Sequence, residues 1–462
     1  MEREKQLVSH TILYAIANFG SSIISFLMLP IYTRYFSPSD FGTWDVVTTT
    51  VTLLVPFITF ELTAATYRWL IDDESAEKKE AIISTGFFQL LFQALLFNIL
   101  ALVVFLFIHF SLKWEALLYI NALILSSFIQ QCARGLKRNV LFASLGITQT
   151  VIVALLNIIF IYVFELGIEL FFYANIIGAV VISLIGWIKM QFSQYIKLNL
   201  HSKKLLKNYL QYAIPIIPAT ASWWVMTMAD RWMIAIFLGV EYNGIYAVAI
   251  KVPAILLMIN HVFSLAWKDS AITTYNMEDR NEFYSKVFHH YFRLLATTVI
   301  CLTLLAKPAI EIFIGEAYSQ AWKYTGILLL ATFFHALALF WSAGFHGAKQ
   351  TKAIFTTTVV GAVVNIVLNV VLIPLFGLYG VALSSLVAFF ITWGMRVRAA
   401  KKYFVVSIPY YKVILLTFLM IISVILPFWI NESIMYLVTF FSLMLFWWSN
   451  MLMFKMLFSL IK

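Results

Sequence analysis

The chain has 462 residues, of which 62% are apolar, 17% aromatic and only 12% charged. Soluble globular domains carry roughly 25% charged residues, so water is not the main solvent of this chain. The formal net charge of +10 does not indicate nucleic-acid binding, because the basic residues cluster at the ends of apolar runs, where membrane topology places them. Cys132 and Cys301 lie in separate apolar runs, which predicts neither a disulfide framework nor a metal site.

Apolar runs of about 20 residues recur along the chain, and each is long enough to cross a hydrocarbon core of roughly 30 Å as a helix. The first run follows the charged segment Met1–Lys5 and continues past Leu29 without a cleavage motif, which predicts a retained first span. The sequence therefore predicts an all-α integral membrane protein with about 14 transmembrane helices. The predicted spans are 11–33, 46–67, 81–109, 116–133, 140–164, 170–188, 211–237, 245–265, 287–306, 324–346, 353–375, 380–395, 413–430 and 433–454.

The loop charges predict the orientation of these spans. With a cytoplasmic N-terminus, only Arg34, Lys113, Lys307 and Lys323 fall on the opposite side of the membrane, and nearly all other basic residues fall on the cytoplasmic side. Arg396, for example, belongs to the cytoplasmic loop after the span 380–395. Because cytoplasmic loops of membrane proteins are enriched in Lys and Arg, both termini are predicted to be cytoplasmic and the number of spans to be even.

A polar connection, 189–210, lies close to the middle of the chain and carries five lysines. It is the natural hinge between two helical bundles. Within it, the amphipathic segment Ser202–Leu210 is predicted to lie along the anionic cytoplasmic leaflet, which attracts basic residues by about 1 kcal/mol each. A solvated linker is the alternative interpretation.

The two halves of the sequence show an internal repeat at an offset near 200. Tyr14 begins YAIAN and Tyr212 begins YAIPI, while Phe41 begins FGTWDVVTT and Asn243 begins NGIYAVAIK. Six spans separate equivalent positions, so the two repeats have the same orientation, as in transporters whose halves are related by an axis along the membrane normal. A transport path would then lie between the two bundles.

Ionisable side chains inside the predicted spans are expensive, at roughly 2.5 to 3.5 kcal/mol each on insertion scales, and usually face a cavity or a partner. The candidates are Glu61, Asp230, Arg231, Lys251, His261 and Arg293. Asp230 and Arg231 are adjacent and point about 100° apart around a helix, so they cannot neutralise each other on one face. Either they serve function or they form ion pairs with other helices.

The remaining candidates each have a structural and a functional interpretation. Lys251 and Arg293 lie near enough to span ends to extend their charges to the membrane surface. Glu61 and His261 occupy nearly equivalent places in the two repeats and could exchange protons, or they could be satisfied core residues. The sequence has no P-loop, dinucleotide-binding turn, HExxH or nucleophile elbow, so nucleotide-driven pumping within this chain is not expected.

Three stretches resemble the polysaccharide and O-antigen flippases, a branch of the superfamily of multidrug, oligosaccharidyl-lipid and polysaccharide exporters. The stretches are LPIYTRYFSPSDFGTWD from Leu29 to Asp45, ADRWMIAIFLGVEYNGIYAVAIK from Ala229 to Lys251, and LNVVLIPLFGLYGVALSS from Leu368 to Ser385. With the span count and the repeat, the resemblance covers essentially the whole chain. These motifs identify the family but not the glycan that is carried.

The resemblance implies two pseudo-symmetric six-helix bundles around a central cavity, followed by two additional helices, with alternating access. The implied domains are 1–195 for the N-terminal bundle, 196–402 for the C-terminal bundle and 403–462 for the additional helices. The implied cargo is an oligosaccharide linked to undecaprenyl diphosphate, moved from the cytoplasmic to the periplasmic leaflet of the bacterial inner membrane. Implied partners are membrane lipids, a polysaccharide polymerase and a chain-length regulator, with no nucleic acid.

Arginine recognises phosphate with a forked set of donors, and lysine supplies a point charge. The candidate ligands of the cargo headgroup are therefore Arg34, Arg231, Lys251 and Arg293. The candidate ion-coupling or gating residues are Glu61, Asp230 and His261. No metal or cofactor is predicted; coupling to an H⁺ or Na⁺ gradient and passive bidirectional flipping both remain open.

Aromatic side chains near these motifs offer faces on which sugar rings can stack. The candidates are Trp44, Trp223, Trp224, Tyr242 and Tyr246. Anchoring at the membrane interface is the alternative role for each of them.

Three other functions share parts of this pattern. A multidrug exporter of the same superfamily would handle cationic amphiphiles, which favours an acidic cavity over one that contains Arg231, Lys251 and Arg293. A membrane-embedded polymerase or glycosyltransferase would need a sizeable loop with acids or bases, whereas the loop 307–323 holds little beyond Glu311 and Glu316. A scaffold without transport is the remaining alternative, and the costly ionisable groups in the spans argue against it.

Overall fold

The computed structural model describes residues 20–72, 75–107, 110–164, 167–408 and 410–461. The predictions for Met1–Lys5, for the repeat segment at Tyr14 and for the first half of the span 11–33 lie outside these residues. Throughout the described part of the chain, regular structure is helical and no strand occurs. An all-α fold is therefore confirmed for this part.

By their internal contacts, the residues form two compact units. Unit 1 comprises the chain up to Phe36 and Trp44–Trp224, and unit 2 comprises Ser37–Thr43 and Val225–Lys462. The helices α2 and α9 each pass from one unit into the other. The domain boundaries expected after residues 195 and 402 stay predictions.

The helices of unit 1 begin with α1 at residues 20–35. The next elements are α2 Pro38–Thr59, α3 Leu62–Asp72, α4 Ala76–Phe105, α5 Lys113–Gly135, α6 Asn139–Ile159 with a π-helical turn Phe160–Phe164, α7 Glu169–Met190 and α8 Lys203–Ala213. Unit 2 contains most of α9 Ile217–Phe237, then α10 Val240–Ala249, α11 Lys251–Thr273, α12 Arg280–Phe313, α13 Trp322–Gly347, α14 Thr351–Phe376, α15 Leu378–Ala400, α16 Tyr410–Ile425 and α17 Glu432–Ile461.

These helices bear out a multi-pass membrane protein. Among the described residues, 10 helices are long and apolar enough to cross a bilayer, and the bent pair α10 and α11 brings the total to 11. The other predicted spans are 11–33, 211–237 and 413–430, and their described residues are also helical except for Trp429 and Ile430. The count of fourteen stays a prediction.

The predicted span 46–67 is interrupted, which corrects the sequence prediction. Helix α2 ends at Thr59, and both Phe60 and Glu61 have positive φ, of 46° and 55°. Residues other than glycine rarely adopt this left-handed conformation, because their Cβ atom approaches the backbone carbonyl. Pro56 lies one turn earlier in α2 and its ring disfavours regular helix there. Glu61 therefore stands in a helix break rather than inside a continuous span.

The core of unit 1 is an aromatic and aliphatic cluster to which the connection after α7 is attached. Phe128 and Phe192 are buried in it, and the hydroxyl of Tyr209 in α8 donates to the carbonyl of Ile82 at 3.3 Å. Outside this core, Lys197 forms an ion pair with Glu80 at 2.7 Å. The amphipathic helix α8 thus packs its apolar face against unit 1, and its position along a lipid leaflet stays a prediction.

The core of unit 2 is rich in stacked aromatic rings. Trp267 stacks on Phe340 with 4.6 Å between ring centroids, and its indole N–H donates to the Phe340 carbonyl at 3.0 Å. The C-terminal helices join this core through polar contacts with α12, since the Asn450 amide donates to Thr297 at 3.0 Å. The additional helices α16 and α17 are therefore integrated into unit 2.

Two equivalent glycines of the repeats meet inside unit 2. A Cβ on Gly42 would overlap the carbonyl oxygen of Val240, and a Cβ on Gly244 would overlap that of Pro38. The amide of Asn243 also donates to the Gly42 carbonyl at 3.0 Å. Small residues let helix backbones approach this closely, with Cα–H groups facing carbonyl oxygens. The first turns of α2 and α10 are thus held together by a reciprocal contact that excludes any side chain.

We predict that Gly42→Ala and Gly244→Ala each lower the apparent melting temperature of the purified protein. The added methyl has backbone atoms as its neighbours, so strain of about 1–3 kcal/mol is expected. The matched control is Gly146→Ala in α6, where a Cβ meets no atom within 4 Å and the substitution favours helix. Scanning fluorimetry in detergent measures the difference; equal melting temperatures for all three variants would contradict the contact.

Candidate functional site

A buried polar site in unit 2 surrounds Asp230. Its side chain in α9 is only 5% exposed, and its carboxylate accepts hydrogen bonds from three neutral groups. The donors are the hydroxyl of Ser385 at 2.7 Å, the amide of Asn369 at 2.7 Å and the hydroxyl of Tyr246 at 3.1 Å. A buried carboxylate is tolerated only when such donors replace water.

These donors come from three different helices. Asn369 lies in α14, Ser385 in α15 and Tyr246 in α10. Asn365, one turn before Asn369, accepts from the Asn369 amide at 3.3 Å and donates to Ser385 at 3.4 Å. The side-chain oxygen of Asn369 is buried and has no hydrogen-bond partner. The side chains around Asp230 are therefore hydrogen-bonded to one another, and the Asn369 oxygen remains an acceptor without a donor.

This arrangement is suited to holding a small cation or a proton. Carboxylate, amide and hydroxyl oxygens are the ligands that hard cations prefer, and a single buried carboxylate can instead take up a proton. No cluster of three His, Cys, Asp or Glu side chains with metal-binding geometry occurs among the described residues. One carboxylate among neutral oxygen groups suits a monovalent cation better than a transition metal, which prefers nitrogen and sulfur ligands.

The basic candidates lie on different elements. Arg231 follows Asp230 in α9, is 8% exposed and donates to the Thr227 carbonyl at 3.1 Å. Lys251 is the half-buried first residue of α11, and Arg293 is half-buried in α12 with a guanidinium nitrogen 3.1 Å from the His290 ring. Arg34 is exposed near the end of α1 in unit 1. Their role as headgroup ligands stays a prediction.

The other titratable candidates are separate from Asp230. In unit 1, Glu61 accepts a hydrogen bond from the Thr220 hydroxyl at 2.9 Å. In unit 2, His261 has an exposed side chain on α11. Their involvement in ion coupling also stays a prediction.

The aromatic candidates have varied environments. The Tyr246 hydroxyl donates to the Asp230 carboxylate, and the Trp224 indole donates to the Thr49 carbonyl at 3.0 Å. Trp44 packs on Phe171 with 4.9 Å between ring centroids. The side chains with substantial exposure are Trp223 and Tyr242. These two can still meet a sugar ring without rearrangement.

Arg396 was assigned to a cytoplasmic loop, and the structure corrects this. It lies inside α15, only 4% exposed. Its guanidinium donates to the hydroxyls of Ser342, Thr358 and Thr357 at 2.8, 2.9 and 3.0 Å, and to the Ala338 carbonyl at 2.9 Å. Helix α15 can continue past the predicted span end because hydroxyls on α13 and α14 accept hydrogen bonds from the guanidinium. Arg396 thus connects three helices.

Sequence reasoning missed the partners of Asp230. Asn369 and Ser385 lie at the two ends of the family-like stretch from Leu368 to Ser385, yet uncharged polar residues carry no strong signal in a span. The spacing of Asn365 and Asn369, which places both on one helix face, was the available indication. Only packing of α9 against α14 and α15 shows which charge they serve.

Comparison with known proteins gives a family and a fold. Residues 7–267, more than half of the chain, match the family described as polysaccharide biosynthesis protein. An uncharacterised membrane protein of Methanocaldococcus jannaschii is 21% identical over 444 residues, which cover 87% of this chain and 85% of that protein.

Two solved structures share the fold. The lipid II flippase MurJ, in an inward closed conformation, has a TM-score of 0.72 and 16% identity, covering 98% of this chain and 100% of that chain. An inward-facing multidrug resistance transporter of the MATE family has a TM-score of 0.65 and 16% identity, covering 82% and 96%. Both are transporters by their descriptions, and at this identity they establish the fold alone.

We predict that Asp230→Leu lowers the apparent melting temperature more than Asp230→Asn does. Leucine leaves the donors on Tyr246, Asn369 and Ser385 buried without an acceptor, at about 1–3 kcal/mol each, whereas asparagine keeps one acceptor oxygen. Asp269→Leu, at an exposed position of α11, is the control and should be neutral. Thermal unfolding in detergent tests this; similar melting temperatures for the two Asp230 variants would mean that the network contributes little.

Proposed function

Because the chain belongs to the family of polysaccharide biosynthesis proteins, we propose that it is a flippase for lipid-linked oligosaccharides. It moves undecaprenyl-diphosphate-linked repeat units from the cytoplasmic to the periplasmic leaflet by alternating access, for O-antigen, capsule or exopolysaccharide synthesis. The observation that carries the proposal is the fold shared with a lipid II flippase over 98% of this chain, in a chain whose family is that of polysaccharide synthesis.

The chemistry of the cargo explains why a protein is needed. A diphosphate and a hydroxyl-rich glycan cannot cross hydrocarbon unaided, since each unpaired polar group there costs several kcal/mol. In this proposal the diphosphate is bound by basic side chains, of which Arg231 is the leading candidate because its guanidinium is forked and lies in a family-like motif. The full set of proposed headgroup ligands is Arg34, Arg231, Lys251 and Arg293.

We further propose that a cation gradient resets the empty carrier through Asp230. A coupling ion only needs different affinities for two conformations to bias a transport cycle. The network of Asp230 joins α9, α10, α14 and α15, so occupation by H⁺ or Na⁺ would change how these helices pack. Glu61 and His261 are secondary candidates for coupling or gating.

A multidrug exporter is the second candidate function. The shared fold with a MATE family transporter and the buried carboxylate of Asp230 favour it, because an exporter of cations needs an acidic site. The basic candidates Arg231, Lys251 and Arg293 favour an anionic cargo instead.

The proposed setting is the bacterial inner membrane, with both termini in the cytoplasm. The basic connections between spans support this orientation. Proposed partners are membrane lipids, the lipid-linked glycan, and a polysaccharide polymerase with its chain-length regulator, which would receive the flipped repeat units.

We predict that Arg231→Ala reduces flipping of a fluorescent undecaprenyl-diphosphate-linked oligosaccharide in proteoliposomes by about 10- to 100-fold, the loss expected for one charge-assisted contact of about 1.5–3 kcal/mol. Arg231→Lys should restore part of the rate, because lysine keeps the charge without the fork. Arg398→Ala, at an exposed position, is the control. Full activity of Arg231→Ala at normal protein levels would remove Arg231 from the site.

We also predict that an imposed Na⁺ or H⁺ gradient accelerates flipping by the wild-type protein and has no effect on Asp230→Asn. Ser385→Ala keeps the carboxylate but removes a ligand oxygen, so it should raise the half-saturating cation concentration several-fold. Flipping rates measured with each gradient separately identify the ion. Wild-type rates that ignore both gradients would make the protein a passive facilitator.

A further inference from the structure

Unit 1 contains a small cavity between α1, α6 and α7, with a volume of about 180 Å³. Its polar lining consists of hydroxyl and amide groups, from Ser25, Tyr32, Gln149, Thr150 and Asn175. The apolar lining is Ile24, Met28, Val153 and Ala154. No charged side chain lines it, so the cavity cannot neutralise a phosphate or an ionised amphiphile.

This cavity occupies the position in unit 1 that the Asp230 site occupies in unit 2. Met28 lies as many residues before the end of α1 as Asp230 does before the end of α9. Asn157 precedes Phe164, where its helix ends, by as many residues as Asn369 precedes Phe376, where α14 ends. The two sites are therefore repeats of one architecture, in which a thioether replaces the carboxylate.

A third pair of equivalent residues, Asn175 and Ser385, supports this correspondence between the two sites. Asn175 precedes the end of α7 by as many residues as Ser385 precedes the end of α15. Asn175 lines the cavity, and its amide donates to the Phe171 carbonyl at 2.6 Å, which leaves its side-chain oxygen as an acceptor. Asp230, Asn369 and Ser385 thus have the counterparts Met28, Asn157 and Asn175, none of which is ionisable, while Tyr246 corresponds to Trp44 in the sequence repeat.

The hydrogen-bonding capacity of the cavity is not used up by the protein. The Tyr32 hydroxyl accepts from the Asn157 amide at 2.7 Å, so its own proton is available to a ligand. Asn157 is buried next to Tyr32 and is not itself one of the residues that line the cavity. Gln149 forms no side-chain hydrogen bond within the described part of the chain. The Tyr32 hydroxyl proton and the Gln149 amide, which both line the cavity, are thus available to a ligand.

We infer that this cavity binds one neutral sugar residue of the transported glycan. The inference rests on the proposed flippase function and names where the sugar is recognised. Amides and hydroxyls match sugar hydroxyls in both donor and acceptor roles, and the Tyr32 ring, packed edge-on against Phe171 at 4.8 Å between centroids, offers an apolar face. Pockets for drug-sized ligands measure roughly 300–1,000 Å³, so this smaller cavity suits a single ring rather than an oligosaccharide.

The two sites differ in charge, and this difference gives them different ligands. The repeat with the carboxylate holds a cation, and the repeat with only neutral groups holds the uncharged part of the cargo.

The test compares three lipids in nanodiscs that contain the purified full-length chain. The probes are undecaprenyl diphosphate alone, the same lipid carrying one galactose, and the same lipid carrying one N-acetylglucosamine; native mass spectrometry gives each Kd. At least one sugar should tighten binding about 10-fold or more, as two neutral hydrogen bonds of about 1 kcal/mol each would. Gln149→Leu should remove most of this gain and leave the affinity for the bare lipid unchanged.

A second variant and a control keep the outcome clear. Asn157→Leu removes the amide that orients the Tyr32 hydroxyl, so it should reduce the gain less than Gln149→Leu does; because it also removes a buried amide, its melting temperature is measured in parallel. Gln211→Leu, exposed on α8, should keep the full gain. If the bare lipid binds and neither sugar adds affinity, or if the gain survives in Gln149→Leu, the sugar site is wrong and the flippase proposal stands. If none of the lipids binds, both proposals fail together.

Discussion

The structure depends on one constraint: in a solvent that offers no hydrogen bonds, every polar group must find its partner inside the chain. The backbone meets this constraint by forming helices throughout the described residues. Buried polar side chains meet it by bonding to one another across helices, as Asp230 does with Asn369 and Ser385. Arg396 satisfies its charge with neutral oxygens of two neighbouring helices. Each such contact fixes the packing of several helices, so polar residues carry much of the specificity of this fold.

The internal repeat shows how one architecture can support two chemistries. Asn369 and Asn157 keep the same place near the end of their helices, while Asp230 in one repeat stands where Met28 stands in the other. A carboxylate surrounded by neutral donors suits a cation, whereas amides and hydroxyls alone suit uncharged hydroxyl groups. Meanwhile Gly42 and Gly244 are retained in both repeats, because the contact that they form leaves no room for Cβ. Packing positions are thus kept where the polar positions diverge.

Several features were predictable from sequence because their cause is local. Span length and apolarity predicted the helices, and the motifs around Arg231 and Leu368 predicted the family that residues 7–267 then matched. The break at Phe60 and Glu61 was not predicted, since Pro56 is compatible with either a kink or a continuous helix. Arg396 was placed in a loop because it begins a basic run with Arg398 and Lys401, which lowers the local hydropathy, and the hydropathy does not register its hydroxyl partners on α13 and α14.

By itself, the sequence determined that the chain is an all-α membrane protein, indicated an internal repeat, and identified Asp230 and Arg231 as ionisable residues inside a helix. These are consequences of composition and periodicity along one dimension. The tertiary structure decided which side chains share a site: that Asp230 meets Tyr246, Asn369 and Ser385, and that Tyr32 meets Asn157. Apolar helices resemble one another in sequence, so their neighbours are set by shape and by the pairing of a few polar groups, and these become visible only when the helices are packed.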